Sequence, residues 1–293
     1  MVKYFFTGLV LLQTLSLAQN IVIETYGDSI TAGLLSYTNI TQKNELSEVS
    51  RILSDFAMFK LTKNRDFLIK HEKTEIAWPT LLANHLKTDL VDYEIRNYAL
   101  SGARSDSMLE EVKKAALPKD EVIAFFFIGH NDLCHNKGSE EDLARDFSRN
   151  LKEALIEWDQ KHFGARAYLI SLAEIQHLYS TLSGVTWYEG SKGKYKCEDN
   201  WENLFPYCPS FFKKYKQGTL DEYIQPRLRA VNSELDKLSE EFKSSSRRNQ
   251  YFRLGMAEGS TFRKEYFAID CYHLSQEGQQ FVADQIFDSL AWY

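Results

Sequence analysis

Five residues, spread over four distant segments of the chain, have the types that acyl transfer requires. They are Ser29 in "ETYGDSITAG", Gly102 in "NYALSGA", Asn131 in "IGHND", and Asp270 and His273 in "DCYHLS". A serine hydroxyl is inert until a base takes its proton, the base needs an orienting group, and the oxyanion formed on attack needs donors aimed at it. Ser29 would attack an ester carbonyl, His273 would carry the proton to the leaving alcohol, and Asp270 would fix the imidazole tautomer. The backbone N–H groups of Ser29 and Gly102 and the side-chain amide of Asn131 would meet the oxyanion. Each motif alone has a plainer reading: Gly-Asp-Ser as a turn, Gly102 as a loop glycine, Asn131-Asp132 as a helix cap. Asp-x-x-His occurs three times, as Asp132/His135, Asp159/His162 and Asp270/His273. Asp159/His162 falls near the end of a polar helical stretch and reads as a solvated face. Asp132/His135 overlaps the Asn131 segment and competes on spacing. Asp270/His273 is preferred because it follows the apolar "YFAI" and precedes a helix that Ser275 can cap.

These residues can meet only if the elements between them bring them to one edge. Residues 21–27, 93–100, 122–129, 167–173 and 250–255 are short, β-branched or aromatic runs bounded by turn residues, and are expected strands. "VIAFFFIG" is apolar throughout, the pattern of a strand covered on both faces. Helical patterns alternate with them at 78–87, 106–117, about 139–162, 220–243 and from 276 onward. Strand alternating with helix predicts a parallel sheet between helical layers. Such sheets carry their sites at the carboxyl ends of the strands, where Ser29, Gly102 and Asn131 would fall. Two stretches break the alternation and are expected insertions, at about 34–76 and 177–218. The second holds Trp187, Tyr188, Trp201 and Phe205, which could line an acyl groove, form a lid, stack on sugar rings or simply pack on the sheet edge.

The 293 residues are 44% hydrophobic and 14% aromatic, which excludes a disordered or collagen-like chain. One lysine, Lys3, precedes an apolar run from Tyr4 to Leu17 and a small-x-small site ending at Ala18. That is the pattern of a cleaved export signal at 1–18, and the run is short for a membrane span. The remaining 19–293 would be a single secreted or periplasmic domain with no integral membrane segment, acting as a monomer. Cleavage moves the net charge from −6 to −7, which offers no global attraction for nucleic acid. Export permits disulfides among Cys134, Cys197, Cys208 and Cys271. Cys197–Cys208 flanks one short loop and is the expected pair. Cys134 and Cys271 would be left to pair with each other or stay free, and Cys134 pairing into the 177–218 segment is the competing arrangement. There is no Cys-x-x-Cys for structural zinc, no His-Glu-x-x-His, no complete Gly-x-Ser-x-Gly and no glycine-rich nucleotide loop.

Taken together, the four blocks resemble the SGNH hydrolase superfamily, the GDSL esterases and lipases, from Ile21 to the C-terminus. "NDLC" and "DCYHLS" resemble its phospholipase B-type branch. The resemblance implies a flavodoxin-like α/β/α sandwich of three layers with a five-stranded parallel sheet. It implies a Ser29–His273–Asp270 triad, an oxyanion hole of Ser29, Gly102 and Asn131, and no metal or organic cofactor. The expected activity is hydrolysis of carboxylic esters, first of lipid acyl esters as in a phospholipase or lysophospholipase. A carbohydrate acetyl esterase is the alternative with the same triad, and a non-catalytic binding protein on this scaffold is the alternative of another class.

Overall fold

A computed structural model describes residues 19–41, 47, 50–52, 54–55, 62, 69–88, 91–117, 120–190, 193–204, 207–255 and 262–290. The expected export signal and Phe205 lie outside the described residues, as does much of the 34–76 stretch.

The strands are β1 (Gln19–Gly27), β2 (Val91–Asn97), β3 (Glu121–Phe127), β4 (Arg166–Ile170), β5 (Thr186–Gly190), β6 (Gly193–Lys196) and β7 (Gln250–Leu254). Five of them form one parallel sheet in the order β2-β1-β3-β4-β7. Each lies where the sequence pattern puts a strand, within a few residues at the ends. β3 is apolar at nearly every position because helices cover both of its faces, and Val122 to Phe127 are buried without alternation.

The helices of at least four residues used below are α1 (Ser29–Ala32), α2 (Trp78–Leu86), α3 (Met108–Lys114), α4 (His130–His135), α5 (Glu140–Lys161), α6 (Gln176–Leu182), α7 (Pro209–Lys216), α8 (Leu220–Ser245) and α9 (Gln276–Leu290). α5 packs between α3 and α8, and α2 packs on α9, which gives the two helical layers about the sheet. Ser139 caps α5 as expected: its hydroxyl accepts from Asp142 N–H, and Asp142 returns a bond to the cap backbone. Ser275 caps α9 by accepting from Gly278 N–H at 3.3 Å.

Three elements have no counterpart in the sequence reading: α6, the β5–β6 hairpin and α7, all between 176 and 216. Their aromatic side chains make a packed cluster in place of an open groove. Trp201 packs on Tyr179, Phe212 and Tyr215, and Trp187 packs on Tyr188 and Tyr195. Asp159/His162 does not form a solvated face. His162 is buried, stacks on Trp158 and stands 3.2 Å from the Glu24 carboxylate inside the sheet. The apolar neighbours of that site, Trp158 and Tyr251, close it from solvent.

Candidate active site

The chain leaves β1 for β2 on one side and later enters β3 on the other, so the loops after β1 and β3 diverge and open a crevice. Ser29 starts α1 immediately after β1. Asp28 caps that helix, its Oδ1 accepting from Ile30 N–H at 3.0 Å. Only glycine fits at 27: a Cβ there would lie 2.5 Å from the Phe127 carbonyl oxygen and 2.6 Å from Thr31 Oγ1. This close approach of β1 to β3 sets Ser29 beside the Asn131 segment.

Backbone and amide bonds then tie the segments to one another. Leu100 N–H donates to the Gly27 carbonyl at 3.0 Å, which lays the Gly102 turn against the serine loop. Gly102 has φ +79°, a conformation that side chains strain to adopt. Asn131 Nδ2 donates to the Ala103 carbonyl at 2.9 Å, joining α4 to that turn. Gln279 on α9 is fully buried. It donates to the Ile30 carbonyl at 3.0 Å and accepts from Trp78 N–H at 3.0 Å, so α9 and α2 grip α1 together.

Asp270 and His273 lie on the loop before α9. His273 Nε2 is 2.9 Å from Ser29 Oγ, and His273 Nδ1 is 2.5 Å from Asp270 Oδ2. Asp270 Oδ1 also accepts the backbone N–H of Tyr272 at 3.1 Å and of His273 at 3.0 Å. Between them Cys271 takes φ +60°, a left-handed turn that lets both side chains face the same way. The hydrogen-bonded line from Ser29 through His273 to Asp270 is the arrangement of a nucleophile, a base and an orienting acid. The competing Asp132/His135 pair does not form. Asp132 accepts from Ser105 N–H at 2.9 Å and Ser105 Oγ at 2.6 Å, and His135 is exposed.

The disulfides differ from the expected pairing. Cys134 bonds Cys208, and Cys197 bonds Cys271, with Cα separations of 5.3 and 5.5 Å. Cys197 and Cys208 are not partners because the chain between them folds. A helical turn follows Cys197 and α7 follows Cys208, which sends one cysteine to the Asp270–His273 loop and the other to α4. The same segment adds hydrogen bonds: Asn200 Nδ2 donates to the Ile269 carbonyl at 2.8 Å and Trp201 Nε1 to the Cys271 carbonyl at 2.9 Å.

A cavity with about 50 Å³ of room opens at Ser29. Its polar end is Asp28, Ser29, His130 and Asn131; its walls are apolar, with Phe127, Ile175, Leu178, Phe267, Leu274 and Val282 among them. Trp187, Tyr188 and Trp201 are not in that lining; Trp201 instead holds the Asp270–His273 loop. Most of the wall residues were missed in the sequence because they come from α6 and the turn before it, from α9 and from the Asp270–His273 loop; Phe127 ends β3. Leu274, next to His273, is the one with a local signal. Burial alone lowers the His130 imidazole to about 4, so it is neutral at pH 7. Burial pushes the Asp28 carboxyl up to about 7 and Asp132 up to about 6. Among the described residues no group of three or more His, Cys, Asp or Glu side chains could hold a metal ion, and no helix is long and apolar enough to cross a membrane.

Comparison with known proteins bears on the family of the chain. Residues 23–286 match the sequence profile of the family described as GDSL-like Lipase/Acylhydrolase. No curated protein matches the chain in sequence. Similar solved structures include the psychrotrophic esterase EstA from Pseudoalteromonas sp., at 12% identity over 92% of this chain and 97% of that one, with a TM-score of 0.45. The lipase/acylhydrolase from Enterococcus faecalis is 18% identical over 93% and 95%, with a TM-score of 0.39. A family two carbohydrate esterase from Clostridium thermocellum is 12% identical over 94% of this chain and 66% of that one, with a TM-score of 0.44. The five-stranded parallel sheet between helices, and a profile match over nearly the whole chain, make this protein a carboxylic ester hydrolase of the GDSL-like lipase/acylhydrolase family.

Proposed function

We propose that the protein is an exported serine esterase of lipid acyl esters, working through a Ser29–His273–Asp270 triad. The observation that carries this reading is the hydrogen-bonded line from Ser29 to Asp270 opening onto an apolar cavity. Ser29 Oγ attacks the ester carbonyl as its proton passes to His273 Nε2. The tetrahedral oxyanion is met by the backbone N–H groups of Ser29 and Gly102 and by Asn131 Nδ2. Collapse breaks the bond to the alcohol, which takes the proton from His273. Water then attacks the acyl carbon as its proton passes to the same nitrogen, and collapse breaks the bond to Ser29 Oγ, which takes that proton back as the acid leaves. The two disulfides and the pattern of residues 1–18 support export, and "NDLC" and "DCYHLS" support the phospholipase B-type branch.

A second reading, removal of short acyl groups such as acetyl from a carbohydrate, is favoured by the small size of the cavity. Hydrolysis of p-nitrophenyl esters from acetyl to palmitoyl, by wild type and Ser29→Ala, tests both. Ser29→Ala is expected to lose at least about a thousandfold in kcat. An optimum at medium or long chains supports lipid esters, and an optimum at acetyl supports the second reading. Equal rates in the two proteins would remove Ser29 from the mechanism.

A further inference from the structure

Between β1 and α2, residues 71–73 run against the end of the serine helix α1. Glu72 and Leu34 form an antiparallel bridge. Beside it, Leu35 N–H donates to the His71 carbonyl at 2.9 Å and Lys73 N–H to the Gly33 carbonyl at 3.2 Å. Leu34 N–H in turn donates to the Ser29 carbonyl at 3.0 Å. His71 is buried, with its ring nitrogens 2.7 Å from the Tyr37 hydroxyl and 2.9 Å from the Asp55 carboxylate, which fixes the segment that carries Glu72.

From this anchored position Glu72 reaches the other half of the site. Its Oε1 accepts the Ser101 N–H at 3.3 Å. Ser101 and Gly102 are the middle residues of a turn closed by Ala103 N–H donating to the Leu100 carbonyl at 2.9 Å. The φ of +79° at Gly102 is what the third residue of a type II turn requires. Such a turn does not use the N–H of its third residue, so the Gly102 N–H stays available to an oxyanion. Leu100 is tied to Gly27, and Ala103 to Asn131, on either side of the turn. Ser101 itself is buried, and its hydroxyl has no hydrogen-bond partner.

We propose that Glu72 is a positioning residue of the oxyanion hole: by accepting the Ser101 N–H from a segment bridged to the end of the serine helix, it sets the Gly102 N–H relative to Ser29. An oxyanion donor works only when aimed at the place where charge develops, and an error of about 1 Å in such a site is costly. Glu72 is not part of the cavity lining. Its loss therefore falls on the tetrahedral stage of the reaction and not on binding of the ester. The proposal rests on the oxyanion hole proposed above.

The test compares wild type with Glu72→Ala, Glu72→Gln, Asn131→Ala and Ser29→Ala, each variant confirmed as folded by circular dichroism. Two readouts are taken: hydrolysis of p-nitrophenyl esters, and inhibition by an alkylboronic acid. The boron accepts the Ser29 oxygen to give a tetrahedral anion, which calls on the same donors as the oxyanion. Glu72→Ala is expected to lower kcat about tenfold and to weaken the boronic acid about tenfold, with KM within about twofold. Glu72→Gln keeps an acceptor oxygen, and should restore both to within about threefold of wild type. Wild-type kcat and inhibition in Glu72→Ala would overturn the proposal. So would a lowered kcat with unchanged inhibition, which marks a merely structural role, and so would a Glu72→Gln variant as impaired as Glu72→Ala. If Ser29→Ala or Asn131→Ala keeps wild-type activity, the reading above falls and this proposal with it. If both are impaired while Glu72→Ala turns over normally, only this proposal falls.

Discussion

Asp28 stands one residue before the proposed nucleophile and is fully enclosed, with one oxygen capping α1 and the other left without a hydrogen bond. Its folded-state pKa of about 7 is above the ordinary 3.8, so the folded chain holds a proton that the unfolded chain releases. The stability linked to this proton is fully present below about pH 4 and is lost as pH rises through about 7. Asn at 28 can still cap α1 and carries no charge. Asp28→Asn should therefore unfold at nearly the wild-type temperature at pH 4 and be more stable at pH 8, by on the order of 2–4 kcal/mol. Thermal melts at the two pH values check this, and equal differences at both would contradict it. Asn131 tests the proposed oxyanion hole at the same scale. Asn131→Ala should cost roughly 100- to 1000-fold in kcat with a smaller change in KM, read from ester hydrolysis. A kcat within a few fold of wild type would remove Asn131 from that role.

At the scale of elements, the loop that carries Asp270 and His273 is held by its neighbours as well as by its own hydrogen bonds. Its own contribution is a short bridge between Phe267 and Leu274, the bonds from Ala268 N–H to the His273 carbonyl at 2.8 Å and from Cys271 N–H to the Ala268 carbonyl at 2.9 Å, and the bonds that Asp270 accepts. The rest comes from the segment between β4 and α8, through Asn200, Trp201 and the Cys197–Cys271 bond. That disulfide spans 74 residues of chain, a long loop whose closure restricts the unfolded state. Replacing both cysteines by serine is expected to cost on the order of 2–5 kcal/mol, measured as a lower urea midpoint. It should also lower kcat in the folded protein, because the left-handed turn at Cys271 loses its tether. An unchanged midpoint would show that packing of Trp201 and its aromatic neighbours holds the loop alone.

On the scale of the whole molecule, the cavity exists because distant parts of the fold converge: the serine loop, the end of β3 with α4, the end of β4 with α6, the Asp270–His273 loop and α9. On the proposed reading, acyl-chain preference is a property of the assembly, and no one segment encodes it. Ala173, just beyond β4, lines the cavity and is only half-buried, so a larger side chain can enter without overfilling the core. Ala173→Phe is expected to shift the chain-length optimum to shorter esters while acetyl hydrolysis stays within about threefold of wild type. The same p-nitrophenyl series reads the outcome, and an unmoved optimum would place the acyl chain elsewhere.

Local pattern carries the strands, most of the helices and the caps at Ser139 and Ser275, because apolar periodicity and cap chemistry depend on neighbours in sequence. The order of the blocks, with Ser29, Gly102 and Asn131 each just after a strand, was legible for the same reason. A parallel sheet sends those strand ends to one edge. Among three Asp-x-x-His pairs, spacing could not choose; only the fold brings His273 within reach of Ser29 and gives Asp132 to Ser105. The disulfide pairing was misread because nearness along the chain is not nearness in space once a helical turn and α7 intervene. The aromatic residues between 187 and 212 were legible as apolar, but which of them face the triad, the core or the substrate was not. Side-chain direction there depends on packing against elements hundreds of ångströms of unfolded chain away. The sequence by itself thus determined the sheet, its helices and the residue types available for ester chemistry. Tertiary structure alone decided which acid serves which histidine, where the cavity lies and what holds the triad loop, since each is a contact between segments that share no local pattern.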